Sequence, residues 1–351
     1  MVEGKKRKIN YGTIISTVIA IGVILYFAFS DPDVKNLGSL LREFNFAYIM
    51  ACLACVLVYV LFEGGIYYVA CRRFPGEMTY LRSVKSAFIG FYYSALTPFS
   101  SGGQPMQVAY MRKWKVPTSS STSLMVLSFF FWHICTSIIS IVAFISYRAT
   151  LKANSALLIA CIVGILISLI CVSAGAAILM NLNIKPIAKF FLKILKKIKI
   201  VKSEEKIDIA LDKWVDDFKE AFVILKKYPI EMMAMLLLTA LKVIAYSSVA
   251  YLLYRGFGLS ELSYGSILLM QVLLSSAVAF VPTPGASGAS EGAFYIFFST
   301  VFINGTTFPA MLLWRGFTYY IFILIGAALN IFDGINDVRV GLKKDNSNDT
   351  N

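Results

Sequence analysis

A single histidine in 351 residues, with no Walker loop, no paired-ligand zinc spacing and no Ser/His/Asp grouping, leaves this sequence without the parts of a soluble catalytic or metal centre. That histidine, His133, follows Phe-Phe-Phe-Trp inside an apolar run, so it reads as a packed core residue, and neither a metal nor a cofactor is expected. Cysteine is scarce too. Of the six, Cys52, Cys55, Cys135, Cys161 and Cys171 fall within apolar runs and Cys71 at a basic edge. Cys52-x-x-Cys55 has no second ligand pair to complete a tetrahedral site. Charged residues make up only 15% of the chain against 58% apolar, far from the composition of a soluble globular domain. What is there is a polytopic membrane protein. The formal charge of +13 comes from lysines and arginines in short loops between apolar runs, not from one folded basic face, so nucleic acid is not an expected partner.

The apolar runs divide into long and short. Tyr11 to Ser30, preceded by Lys5-Lys6-Arg7-Lys8, has about 20 residues, which at ~1.5 Å each match a hydrocarbon core of ~30 Å. It lacks a signal peptide's short apolar region and small-residue cleavage site, so it reads as an anchor. Phe46 to Ala70, Ser121 to Tyr147, Asn154 to Leu182, Ile230 to Tyr254 and Thr307 to Phe332 complete six expected full spans. Ser83 to Leu96 and Gln104 to Met111 are too short to cross and form a hairpin around a broken tip. Tyr264 to Ile303 forms a second around Pro282 to Gly288.

Charge sets the expected orientation. With both termini in the cytoplasm, inner segments collect twenty-six of the 33 lysines and arginines, and the outer loops hold only Lys35, Arg42, Arg148, Lys152 and Arg255. The first hairpin is then entered from the basic, cytoplasmic side and the second from outside. Residues 46–147 and 230–332 become inverted copies.

The tips carry the sharpest sequence signal. VPTPGASGASEG, Val281 to Gly292, sets Pro282, Thr283, Pro284, Gly285 and Gly288 between apolar segments, and Thr97, Pro98, Gly102, Gly103 and Gln104 echo it in the first half. A bilayer offers no water to broken backbone, so such tips survive only inside protein or along a wet cavity. Matched interruptions in two halves point to a transporter site near the midplane. Between the halves, the linker at 183–228 opens with an amphipathic stretch whose Lys189, Lys193, Lys196 and Lys197 suit an anionic cytoplasmic leaflet. Residues 346–351 form a polar tail after a single membrane domain at 1–345.

Four ionisable residues, Glu63, Lys242, Glu291 and Arg315, lie in or beside the apolar segments, where charge is costly and tends to pair, to line a wet cavity or to act on substrate. Two acids balance two bases, so two buried ion pairs are one outcome. The other is that Lys242 and Arg315 present positive charge to an anionic headgroup. Arginine's planar fork grips phosphate with two bonds where lysine offers a point charge. Glu291, in a first helical turn, is placed to satisfy that helix N-terminus itself.

SALTPFSSGGQPMQVAYMRKW (Ser94 to Trp114) and VPTPGASGASEGAF (Val281 to Phe294), with Arg315 in the last span, resemble the membrane, or flippase-like, domain of the lysylphosphatidylglycerol synthase/flippase family. Members often carry an acid and an arginine after the first motif's glycines, where this chain has Gln104 and Gln107, and a charged pair in the following span is missing here. The resemblance implies an α-helical protein of the bacterial plasma membrane that moves aminoacylated phosphatidylglycerol, or another lipid-linked anion, between leaflets. Full-length members append a cytosolic aminoacyl-tRNA transferase domain, and this chain reads as the transport half standing alone. Two alternatives stay open: a phosphatidylglycerol lysyltransferase, which needs a transfer-RNA-binding domain or partner enzyme, and a small-solute or ion transporter. The sequence leaves the oligomeric state open, a homo-oligomer included.

Overall fold

A computed structural model describes residues 44–152, 155–180, 226–303 and 305–332, together with Arg42 and Val223. The anchor expected at Tyr11 to Ser30, the lysines 189, 193, 196 and 197 and the polar tail lie outside the described residues. Those residues are all helix, turn and loop. The helices are α1 (Phe46–Cys71), α2 (Tyr80–Leu96), α3 (Gly103–Lys113), α4 (Thr118–Lys152), α5 (Ser155–Leu179), α6 (Pro229–Gly256), α7 (Tyr264–Val278), α8 (Ala289–Phe298) and α9 (Thr307–Phe332).

Five of them, α1, α4, α5, α6 and α9, are long and apolar enough to cross a membrane. They begin within a few residues of the expected spans, and their starts have local causes. The Asn45 side chain accepts from Ala47 N (3.0 Å) ahead of α1, and Pro229, which has no N–H to lose, occupies the first turn of α6. Thr79 and Ser263 accept backbone N–H groups ahead of α2 and α7. α2 stops at an extended Thr97 because Pro98 follows it.

α1 packs along α6, α2 returns through α3, and α7 lies against α4 and α5. Gly164 of α5 meets the backbone carbonyl of Ser276 on α7, a spacing no side chain would permit. At the same residue, Ser140 and Ser276 share a hydroxyl hydrogen bond of 2.6 Å. Phe294 stacks on both Phe298 and Trp314 (4.7 and 5.0 Å between ring centres), fixing α8 to α9. Within α9 the ladder widens to a π turn at Gly316–Tyr320, directly after Arg315, a local defect that periodicity does not announce. Outside the spans, Glu77 pairs with Lys115 in the loop after α3 and with Arg82 in the first turn of α2. The Lys115 hydrogen bond and charge hold its carboxyl below the usual range.

Candidate functional site

The two broken tips touch each other, and their backbones follow the same path. Thr97 and Thr283 are extended, with φ/ψ of −120°/144° and −103°/149°. Each precedes a proline, Pro98 or Pro284, and a one-turn 3-10 helix. Phe99 (φ 55°, ψ 19°) and Gly285 (φ 58°, ψ 22°) then enter the left-handed region, followed there by Ser100 and Ala286. The hydrogen bonds match as well. Ser100 N and Ala286 N donate to the two threonine carbonyls at 3.1 and 3.0 Å, and the hydroxyls of Ser101 and Ser287 donate to the two proline carbonyls at 2.8 Å. Thr97 Oγ1 also receives Gly102 N at 2.8 Å, while Thr283 Oγ1 donates to Ser287 O at 2.9 Å. The paths diverge at the aligned serine, where ψ is −18° at Ser101 and 141° at Ser287, and Gly288 then takes φ 86° to start α8. Gly103 starts α3 so close to α2 that a side chain would strike Ser94.

The four membrane charges form two buried pairs. On α8 and α9, Arg315 Nε donates to Glu291 Oε1 at 2.6 Å, and Arg315 Nη2 donates to Gly285 O (3.2 Å) and Ser287 Oγ (3.4 Å) in the second tip. Glu291 Oε2 accepts Gly288 N at 2.7 Å, so the same carboxylate both caps the helix and answers the arginine. The guanidinium lies 4.2 Å from the centre of the Tyr319 ring, and Tyr319 Oη donates to Ala95 O beside the first tip. Arg315 thus ties the second tip to α9, and Tyr319 ties the end of α2 beside the first.

On α1 and α6, Lys242 Nζ donates to Glu63 Oε2 at 2.5 Å while Tyr67 Oη donates to Glu63 Oε1 at 2.5 Å. Gln107 Nε2, from α3, donates to Tyr67 Oη at 2.9 Å. The Lys242 ammonium also sits 4.4 Å from the Trp132 ring centre. The sequence singles out the four charges but not Tyr67, Trp132 or Tyr319, because aromatic residues are abundant here and nothing in their spacing marks these three. Removing the Tyr67 hydroxyl strips one donor from Glu63 and one acceptor from Gln107. Tyr67→Phe should therefore cost about 1–3 kcal/mol, read as a lower apparent Tm of the purified protein.

Two cavities flank the tip contact. One, of about 300 Å³, is lined by Arg315, Gly285, Ala286, Ser100, Tyr319 and Ser168 among others. The second, of about 420 Å³, is lined by Glu63, Lys242, Tyr67, Gln104, Gln107 and Phe99 among others. His133 borders both, with Nδ1 3.2 Å from Ser168 Oγ and its ring stacked on Phe280. Of the residues singled out in sequence, Lys242, Glu63 and Gln104 face the second cavity, Gly285 and Arg315 the first, and Glu291 neither. Pro282 is exposed, Pro284 is buried, and Thr97, Pro98, Gly102, Gly103, Thr283 and Gly288 shape the tips or the helix starts behind them. Among the described residues no cluster of His, Cys, Asp or Glu has the makings of a metal site. The arrangement sets a buried cation in the wall of each of two hollows inside an apolar bundle, each cation paired with a buried carboxylate.

A family model described as the lysylphosphatidylglycerol synthase TM region matches residues 13–326 of the chain. No curated protein matches it.

Proposed function

The chain belongs to the lysylphosphatidylglycerol synthase membrane-region family, and from that membership we propose that it carries an anionic or aminoacylated phospholipid, lysylphosphatidylglycerol foremost, between the leaflets of the cell membrane. The coarser part needs no proposal: this is a multi-pass helical membrane protein of a family that handles that lipid. One observation carries the finer part. Two tips of matching backbone geometry meet between two cavities, and each cavity has a buried cation in its wall. A zwitterionic or anionic headgroup needs such a path, because burying its phosphate without a cation costs several kcal/mol. The acyl chains remain in lipid while the headgroup passes.

In this reading both hairpins are re-entrant, the first from the cytoplasm and the second from outside, as in inverted-repeat transporters. The charge distribution and the shared tip geometry support it. A cysteine placed at Lys115 should then react with impermeant reagent only from the cytoplasmic side, and one at Arg148 only from outside. Outside labelling at Lys115 would reverse the topology.

The activity is tested with purified protein in liposomes, following leaflet exposure of labelled lysylphosphatidylglycerol and phosphatidylglycerol. Lysyl transfer from charged transfer RNA is assayed alongside. Exchange well above protein-free vesicles without transfer is the expected result. Transfer without exchange would assign the chain to synthesis.

A further inference from the structure

The two ion pairs differ in one respect that bears on energy coupling: the carboxylate of one lines a cavity and the carboxylate of the other does not. Glu291 is fully buried, lines neither cavity, and has both oxygens committed, one to Arg315 and one to the start of α8. Protonating it would break a helix cap and strand a guanidinium. Glu63 and Lys242 both line the 420 Å³ cavity, which has room for several waters at ~30 Å³ each. The other oxygen of Glu63, Oε1, is held by the Tyr67 hydroxyl, which also accepts from Gln107, so this hydrogen bond stays in place when a proton is added at Oε2.

We propose that Glu63 takes up a proton from the cavity, releasing Lys242 to hold the phosphate of the lipid, so that one proton accompanies each anionic lipid moved. This rests on the lipid-transport reading above. In the step, a hydrated proton forms an O–H bond at Glu63 Oε2, its water leaves neutral, and the Lys242 ammonium keeps all its protons. The pair goes from neutral to +1, and the phosphate returns the site to neutrality. Because an uncompensated charge is costly in this interior, proton and phosphate each favour the other's binding by the same factor. Release of the proton on the far side re-forms the Glu63–Lys242 pair and expels the lipid. The titratable groups facing Glu63 from the elements around it are Tyr59 and Tyr67 on its own helix, Lys242 on α6 and His133 on α4, with Tyr246 of α6 against the ring of Tyr59. α3 offers the uncharged Gln104 and Gln107, and Arg315 of α9 is turned to Glu291.

The test uses phosphatidylcholine vesicles with the full-length protein and a trace of labelled phosphatidylglycerol, membrane potential clamped, one pH unit imposed across the bilayer. One-to-one coupling drives the lipid toward about a tenfold leaflet asymmetry, since a pH unit is a factor of ten in free-energy terms. Glu63→Asp, which keeps a titratable carboxyl, should retain part of that asymmetry, and Glu63→Gln should lose it. Asymmetry persisting in Glu63→Gln overturns the coupling, as does wild-type exchange that ignores the gradient, and in both cases lipid transport still stands. Wild-type protein that moves no labelled lipid removes the transport reading and this one with it. Should Glu63→Gln fail to fold, proton uptake by the wild type decides. About one proton taken up per phosphatidylglycerol bound is expected, and none overturns the proposal. Uptake with glycerol 3-phosphate but not with lipid would assign the site to a soluble phosphate instead.

Discussion

Arg315→Ala is expected to destabilise the protein by about 3–5 kcal/mol, because it leaves the Glu291 carboxylate fully buried with no counter-charge. The loss extends beyond the pair. Arg315 also bonds the carbonyl of Gly285 and the Ser287 hydroxyl, so the second tip loses its tie to α9. Thermal unfolding of the purified variant reads the loss. The double variant Arg315→Ala, Glu291→Gln should regain most of the stability, since an uncharged glutamine keeps an oxygen for Gly288 N and buries no charge. That recovered fold separates structure from function. If Arg315 contacts the lipid phosphate from the wall of the 300 Å³ cavity, the double variant folds but transports poorly. Arg315→Lys, which retains the charge and loses the forked grip, should transport at an intermediate rate. Full transport by the double variant would leave Arg315 as an ion-pair partner of Glu291 alone.

What the sequence makes legible, and what it does not, follows from the range of the interactions involved. Five spans are readable because a run of apolar residues is a local property with a length fixed by the bilayer. The tips are readable for the same reason: Thr-Pro followed by Ser and Gly is local chemistry. The pairing of the charges is not. Glu63 and Lys242 lie 179 positions apart, and nothing in either neighbourhood says which of two bases each acid will meet. Glu291 and Arg315 stand only 24 apart, yet their bond depends on α8 folding back on α9 through the Phe294–Trp314 stack. The π turn at Gly316–Tyr320, which touches α1 and holds Tyr319 beside the guanidinium, has no marker in the local sequence pattern. His133, read as a packed residue, is indeed buried and stacked, yet it also borders both cavities. Burial and function are not exclusive where a cavity runs through the core.

Gly285→Ala is expected to cost about 2–5 kcal/mol and to abolish transport, for two separable reasons. Its φ of 58° lies in the left-handed region, which costs a side-chain-bearing residue roughly 1–2 kcal/mol. A β-carbon there would also land in the Tyr319 ring, adding about 1–3 kcal/mol of overpacking. Tyr319 cannot step aside freely, because its hydroxyl holds Ala95 O next to the first tip and its ring lies beside Arg315. One added methyl therefore disturbs both tips and the cation in the wall of the 300 Å³ cavity. The counterpart position supplies the control. Phe99 has nearly the same dihedrals as Gly285 but is 53% exposed, so it carries the backbone strain without the packing conflict. Phe99→Gly should relieve ~1–2 kcal/mol of strain and return about 0.5–1 kcal/mol of it in chain entropy, leaving stability unchanged or slightly raised. Apparent Tm values and lipid exchange rates of the two variants check the pair of expectations. Equal and small effects at both positions would mean that the tips are held by the surrounding helices alone. A large loss at Gly285 with none at Phe99 would place the constraint at the second tip, where Gly285, Tyr319 and Arg315 meet.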